Sequence, residues 1–92
     1  MIVLMFGKDN CDNCACQRDI LLYLVKSNVI KKEELFYVDA MKDDSQEICD
    51  KFNIADKLPH IIIFSDEKLD NIVFEKHGEY VGVEELKKIL VG

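Results

Sequence analysis

Apolar and polar positions run along the chain in blocks whose period changes. Residues 2–6, IVLMF, are an unbroken apolar run that stops at Gly7. A run so short and uninterrupted fits a strand covered on both faces. Residues 7–11 are polar and read as a loop. From Asp12 to about Asn28 the spacing turns helical, with Cys14, Gln17, Leu21, Leu24 and Val25 recurring at three- and four-residue steps. NVIKKEE breaks that period. LFYVDA, residues 35–40, is rich in aromatic and branched side chains and reads as a second strand.

The second half continues the alternation. DDSQEICDKFN, residues 43–53, predicts a helix whose start Asp43, Asp44 or Ser45 could cap, with Glu47 in the first turn. Ile48 and Phe52 lie one turn apart on its inner side. IADKLP is a loop, HIIIFS (60–65) a strand, DEKLD a polar turn and NIVFEK (71–76) a fourth strand. HGEYVG turns the chain again. VEELKKILVG closes it as an amphipathic helix with Val83, Leu86, Ile89 and Leu90 inward.

The order β-α-β-α-β-β-α predicts one α/β domain over residues 1–92. The first two strands, joined through a helix, should be parallel with a right-handed crossover. The last two, joined by a short polar turn, should be an antiparallel hairpin. A mixed four-stranded sheet with helices on both faces follows.

Composition narrows the function classes. A chain of 92 residues has room for one core. Its formal net charge is −6, Arg18 is its single arginine, and no basic cluster is longer than Lys31-Lys32. Nucleic acid binding needs several cations facing the phosphates, and an anionic membrane surface also favours them, so neither partner is expected. IVLMF is too short for a signal-peptide core, and no run approaches the ~20 apolar residues of a membrane span. The expected location is cytoplasmic, where thiols are kept reduced. Four cysteines in such a chain point to redox chemistry or metal before structural crosslinks.

Three of those cysteines crowd into GKDNCDNCACQ, residues 7–17. Cys11 falls at the loop-to-helix junction, and Cys14 lies one turn further in on the same side, near enough to form and break a disulfide. Unpaired N–H groups and the positive helix end favour a thiolate at Cys11, the attacking species in disulfide exchange. Cys14 would then be the resolving thiol.

A Cys-x-x-Cys after strand one, in a β-α-β-α-β-β-α chain with its lone proline just before strand three, resembles the thioredoxin superfamily over essentially the whole chain. The resemblance implies that Pro59, in KLPHIII, is cis and faces the disulfide. It also implies that the backbone of Leu58 pairs with an extended substrate. Thioredoxins carry a tryptophan before the first cysteine and a buried aspartate on strand one; here Asn10 and Met5 stand in those places. FGKDNCDNC is closer to the glutaredoxins, with Phe6 closing strand one and Lys8 three residues before Cys11. That likeness implies that Lys8 helps bind glutathione's carboxylate. Asp12-Asn13 replaces the usual Pro-Tyr between the cysteines, and only Gly82 and Glu84-Glu85 match the region that holds glutathione's other end. Glutathione and a thioredoxin-type flavoprotein reductase therefore both stand as electron donors.

The expected function is a small thiol–disulfide oxidoreductase acting on protein or glutathione-mixed disulfides. Cys11 and Cys14 are catalytic, and Lys8, Leu58 and Pro59 bind substrate. No cofactor is held, and the protein is a monomer. Lys8 favours a Cys11 thiolate while Asp9 and Asp12 oppose it, so the dithiol should be reducing or near-neutral. The alternative is a non-catalytic module of the same fold that binds metal through the cysteine cluster or serves as an adaptor. Structural zinc wants four ligands. Here Cys49, His60 or His77 would complete a set begun by Cys11, Cys14 and Cys16, although a helix turns Cys16 about 200° from Cys14.

Cys16 reads as an outer-face thiol, either idle or a third redox partner. Cys49 reads as packing. His60 could tune the sulfurs or simply make a strand hydrogen bond, and His77 reads as solvated.

Overall fold

The computed structural model describes residues 1–55 and 57–91. Asp56, in the expected IADKLP loop, and Gly92, at the end of the expected last helix, lie outside them. Four strands, β1 (Ile2–Gly7), β2 (Leu35–Asp39), β3 (His60–Phe64) and β4 (Ile72–His77), form one sheet in the order β2-β1-β3-β4. β1 pairs with β2 in parallel and with β3 antiparallel, and β3 pairs with β4 antiparallel. The mixed sheet and the closing hairpin are as the sequence pattern predicts.

The two central strands are buried at every position, which explains why their sequences run apolar without alternation. The pleat sends alternate side chains to opposite layers. Ile2, Leu4 and Phe6 share a face with Phe64, Ile62 and His60, their partners across the ladder. Phe52 packs on this face, its ring 6.4 Å from Phe6 and 5.5 Å from Phe64. Val3, Met5 and Gly7 point the other way, toward the helix that carries Cys14.

Three helices complete the core: α1 (Asp12–Lys26), α2 (Gln46–Lys51) and α3 (Val83–Val91). α1 buries Cys14, Gln17, Leu21 and Leu24, the stripe its spacing predicts, and ends two residues short of Asn28. Asn28 itself takes a left-handed φ of 63°, a conformation that ends helices.

The second predicted helix is corrected. Residues Asp43–Ser45 form a 3-10 turn, and only Gln46–Lys51 is α-helical. The chain enters this helix through the tighter turn, so Ser45 already has helical dihedrals and makes no side-chain cap bond. The most buried side chain of α2 is Cys49, between the half-buried Ile48 and Phe52.

Gln17 is the one polar member of the α1 stripe and is fully buried. Its side chain pairs with a single peptide unit. The Val81 N–H donates to Oε1 at 2.6 Å, and Nε2 donates to the Val81 carbonyl at 3.1 Å. Both Val81 backbone groups are thereby satisfied inside the core, and α1 is tied to the segment leading into α3.

Candidate active site

Four chain segments leave the sheet at one end. Gly7 ends β1 beside Asp39 at the end of β2, and Phe6 pairs with His60 at the start of β3, which pairs with His77 at the end of β4. The loop to Cys11, the Leu58-Pro59 segment and the turn at Gly78 therefore meet there. The Gly78 N–H, at a φ of 85°, donates to the Pro59 carbonyl at 3.0 Å. The Leu58–Pro59 peptide is cis, and both residues are buried.

Asn10 reverses the chain with a φ of 58° and delivers Cys11 to the N-cap position of α1. Asparagine tolerates that region through its short polar side chain. Cys11 is extended (φ −125°, ψ 105°), and its Sγ accepts the Cys14 N–H at 3.2 Å. A sulfur thus takes the place of the usual capping oxygen. Cys11 and Cys14 are joined in a disulfide, their Cα atoms 5.2 Å apart. Cys11 is half-exposed and Cys14 is 3% exposed. An incoming sulfur can therefore reach Cys11 but not Cys14.

A depression of about 260 Å³ opens over the pair, bordered by Lys8, Asp9, Asp12, Arg18 and Tyr37. A larger groove, about 1090 Å³, lies among Met1, Ile2, Leu4 and Leu69, away from the cysteines. Sulfur chemistry rather than volume locates the site. Lys8 is half-buried on the rim.

Two neighbours went unseen in the sequence. Arg18, one turn beyond Cys14, stands 5.8 Å from the centre of the Tyr37 ring. Tyr37 comes from β2 and lies against Gly7. Gly7 looks like a strand terminator, and Tyr37 looks like one aromatic of a strand. Only the register that pairs Met5 with Tyr37 and Gly7 with Asp39 brings them together.

The remaining candidates separate by layer. His60 is buried on the Phe6 face, opposite Cys14, and its Nε2 donates to Glu75 Oε2 at 2.6 Å. Its ring also stands 5.2 Å from that of His77. The strand hydrogen bond, not the sulfurs, accounts for His60. Cys49 is buried, and burial followed by the charge of Asp50 pushes its thiol up. Cys16 is a free, half-buried thiol. Among the described residues, no three His, Cys, Asp or Glu side chains converge as metal ligands would. No described helix is long and apolar enough to cross a membrane.

No family model matches the chain, and no curated protein matches it by sequence. Solved structures do. A thioredoxin-2, a component of the malaria parasite protein secretion machinery, superposes with a TM-score of 0.73 at 25% identity, over 96% of this chain and 78% of that one. Thioredoxin 1 of Thermosipho africanus gives 0.68 at 17% identity, over 97% and 89% of the two chains. Oxidised mitochondrial thioredoxin 3 of Saccharomyces cerevisiae gives 0.65 at 16% identity, over 97% and 74%. This is the thioredoxin fold. A Cys-x-x-Cys pair close enough to form a disulfide, at the first loop-to-helix junction of a thioredoxin fold, supports redox function. These neighbours are thioredoxins.

Proposed function

We propose that the protein is a thiol–disulfide oxidoreductase that reduces disulfides of protein substrates. The observation that carries this reading is the Cys11–Cys14 disulfide, with Cys11 half-exposed at the N-cap of α1 and Cys14 buried behind it. The unequal exposure supports a division of roles between them. Reduced Cys11 is reachable, and the free N–H groups and partial positive charge of the helix start stabilise its thiolate. It attacks a substrate disulfide and forms a mixed disulfide. Cys14, shielded from outside sulfurs, attacks Cys11 and releases the reduced substrate.

Leu58 and Pro59 leave the sheet at the same end as Cys11, which supports a role for their backbone in holding an extended substrate strand. Lys8, on the rim, supplies a cation for a substrate carboxylate. Electrons return from glutathione or from a flavoprotein reductase. The protein acts as a monomer in the cytoplasm and needs no bound cofactor.

A glutathione redox titration, read by acid-quenched alkylation and peptide mass mapping, tests the reading. One cooperative two-electron transition joining Cys11 to Cys14 is expected. If both stay alkylatable at every poise, or resist alkylation until a chelator is added, the dithiol mechanism is wrong.

A further inference from the structure

Resolution requires Cys14 to lose a proton inside the protein. β1, which backs it, carries no polar side chain. Gly7 leaves a gap there. A Cβ built on it would stand 2.9 Å from the Tyr37 hydroxyl oxygen, 3.1 Å from Tyr37 Cε2 and 3.4 Å from Cys14 Cβ. The Tyr37 hydroxyl and Cys14 Cβ thus both border the space that the missing Gly7 side chain leaves, which any residue larger than glycine would fill. The register sends the Tyr37 side chain to the face that Met5 and Gly7 share, beneath α1. The Arg18 guanidinium covers its ring from outside.

We propose that Tyr37 donates a hydrogen bond from its hydroxyl to the Cys14 sulfur once the Cys11–Cys14 bond is open, and so stabilises the thiolate that resolves the mixed disulfide. The proposal rests on the dithiol reading above.

The steps balance. The Cys11 thiolate bonds to one substrate sulfur, the substrate S–S bond breaks, and the first substrate thiolate leaves and takes a proton from water. Cys14 gives its proton to water while Tyr37 O–H holds the sulfur. That sulfur attacks Cys11 Sγ, the Cys11–Cys14 bond forms, and the Cys11–substrate bond breaks. The second substrate thiolate leaves and is protonated. Two electrons pass from the cysteine pair to the substrate.

Tyr37 keeps its own proton throughout. Partial burial, then Asp39 and Asp9, push its hydroxyl above the ordinary range, while Arg18 pulls the other way. The other charges around this space are Lys8 and Asp12 on the rim and Lys42 and Asp44 beyond β2. All stay in place in the variants below.

Reduced protein is mixed rapidly with excess glutathione disulfide, and closure of the Cys11–Cys14 bond is followed by acid quench across pH. Y37F, which keeps the ring but removes that hydrogen bond to a charged sulfur, should slow closure roughly tenfold at neutral pH. Its profile should shift to higher pH, and the rates should converge once Cys14 is fully ionised. A purely structural role would lower the rate equally at all pH values. G7A, whose added Cβ displaces the hydroxyl, should shift the profile the same way. A Y37F profile that superposes on the unmodified one overturns the assignment and leaves the dithiol reading standing. Failure of the unmodified protein to close the bond at any pH overturns both.

Discussion

At the scale of single residues, the chemistry divides by exposure. Cys11→Ser is expected to abolish disulfide turnover, because the N-cap thiolate that attacks the substrate is removed. Cys14→Ser leaves Cys11 able to attack but unable to release its partner. Mass spectrometry should then find a persistent adduct between Cys11 and substrate; prompt release from that variant would show that Cys14 is not the resolving thiol. Two groups set an alkaline limit, the buried Cys49 thiol and the hydroxyl of Tyr37, a residue that is 42% exposed. The Cys49 thiol is raised by burial and then by Asp50, and the Tyr37 hydroxyl by partial burial and then by Asp39. Each stays protonated in the fold at pH values where the unfolded chain ionises. Their stabilisation is fully present below the ordinary thiol and phenol ranges and is lost as pH rises through the raised values. The urea midpoint should hold from neutral pH to about pH 8.5 and fall above it. A midpoint still flat at about pH 10.5 would contradict that assignment.

At the scale of elements, the α1 stripe shows how a correct pattern can hide a specific device. Gln17 occupies an apolar position of the helical period and is as buried as one, yet it satisfies both backbone groups of Val81. Gln17→Leu fits the periodicity better and should still destabilise the protein. It strands a buried N–H and a buried carbonyl at ~1–3 kcal/mol each, so a loss of about 2–6 kcal/mol is expected in chemical denaturation. That is a large share of the ~5–15 kcal/mol that holds a typical domain. Unchanged stability would mean that the Val81 segment finds other partners. The split of the second helix into Asp43–Ser45 and Gln46–Lys51 has the opposite lesson. Three candidate caps in a row mark where a helix begins but do not say how the chain enters it.

At the scale of the whole molecule, net charge and fold act together on the sulfur pair. Asp9 and Asp12 are exposed beside Cys11, and only Lys8 and Arg18 oppose them around the same depression. This balance disfavours the thiolate relative to a site lined by cations, so the dithiol should be reducing or near-neutral. A reduction potential well above that of the glutathione pool would refute this. Exposed charges act weakly, so replacing Asp9 and Asp12 together by Asn should make Cys11 ionise only roughly threefold more readily. The potential should rise accordingly, because a more stable thiolate stabilises the reduced form.

The antiparallel β1–β3 pairing that makes β1 and β3 central was not legible in the linear sequence; element order, the parallel β1–β2 and antiparallel β3–β4 pairings, the burial of β1 and the closeness of Cys11 to Cys14 were. Each is written in local periodicity or short spacing, and two residues three apart at a helix start meet wherever the helix goes. The layer of His60, the packing of Tyr37 against Gly7, and the bridge from Gln17 to Val81 were decided by tertiary structure alone. They depend on strand register and on which face of the sheet each helix covers. A pleat reverses a side chain's layer with every residue, so contacts between distant segments exist only once the strands have paired.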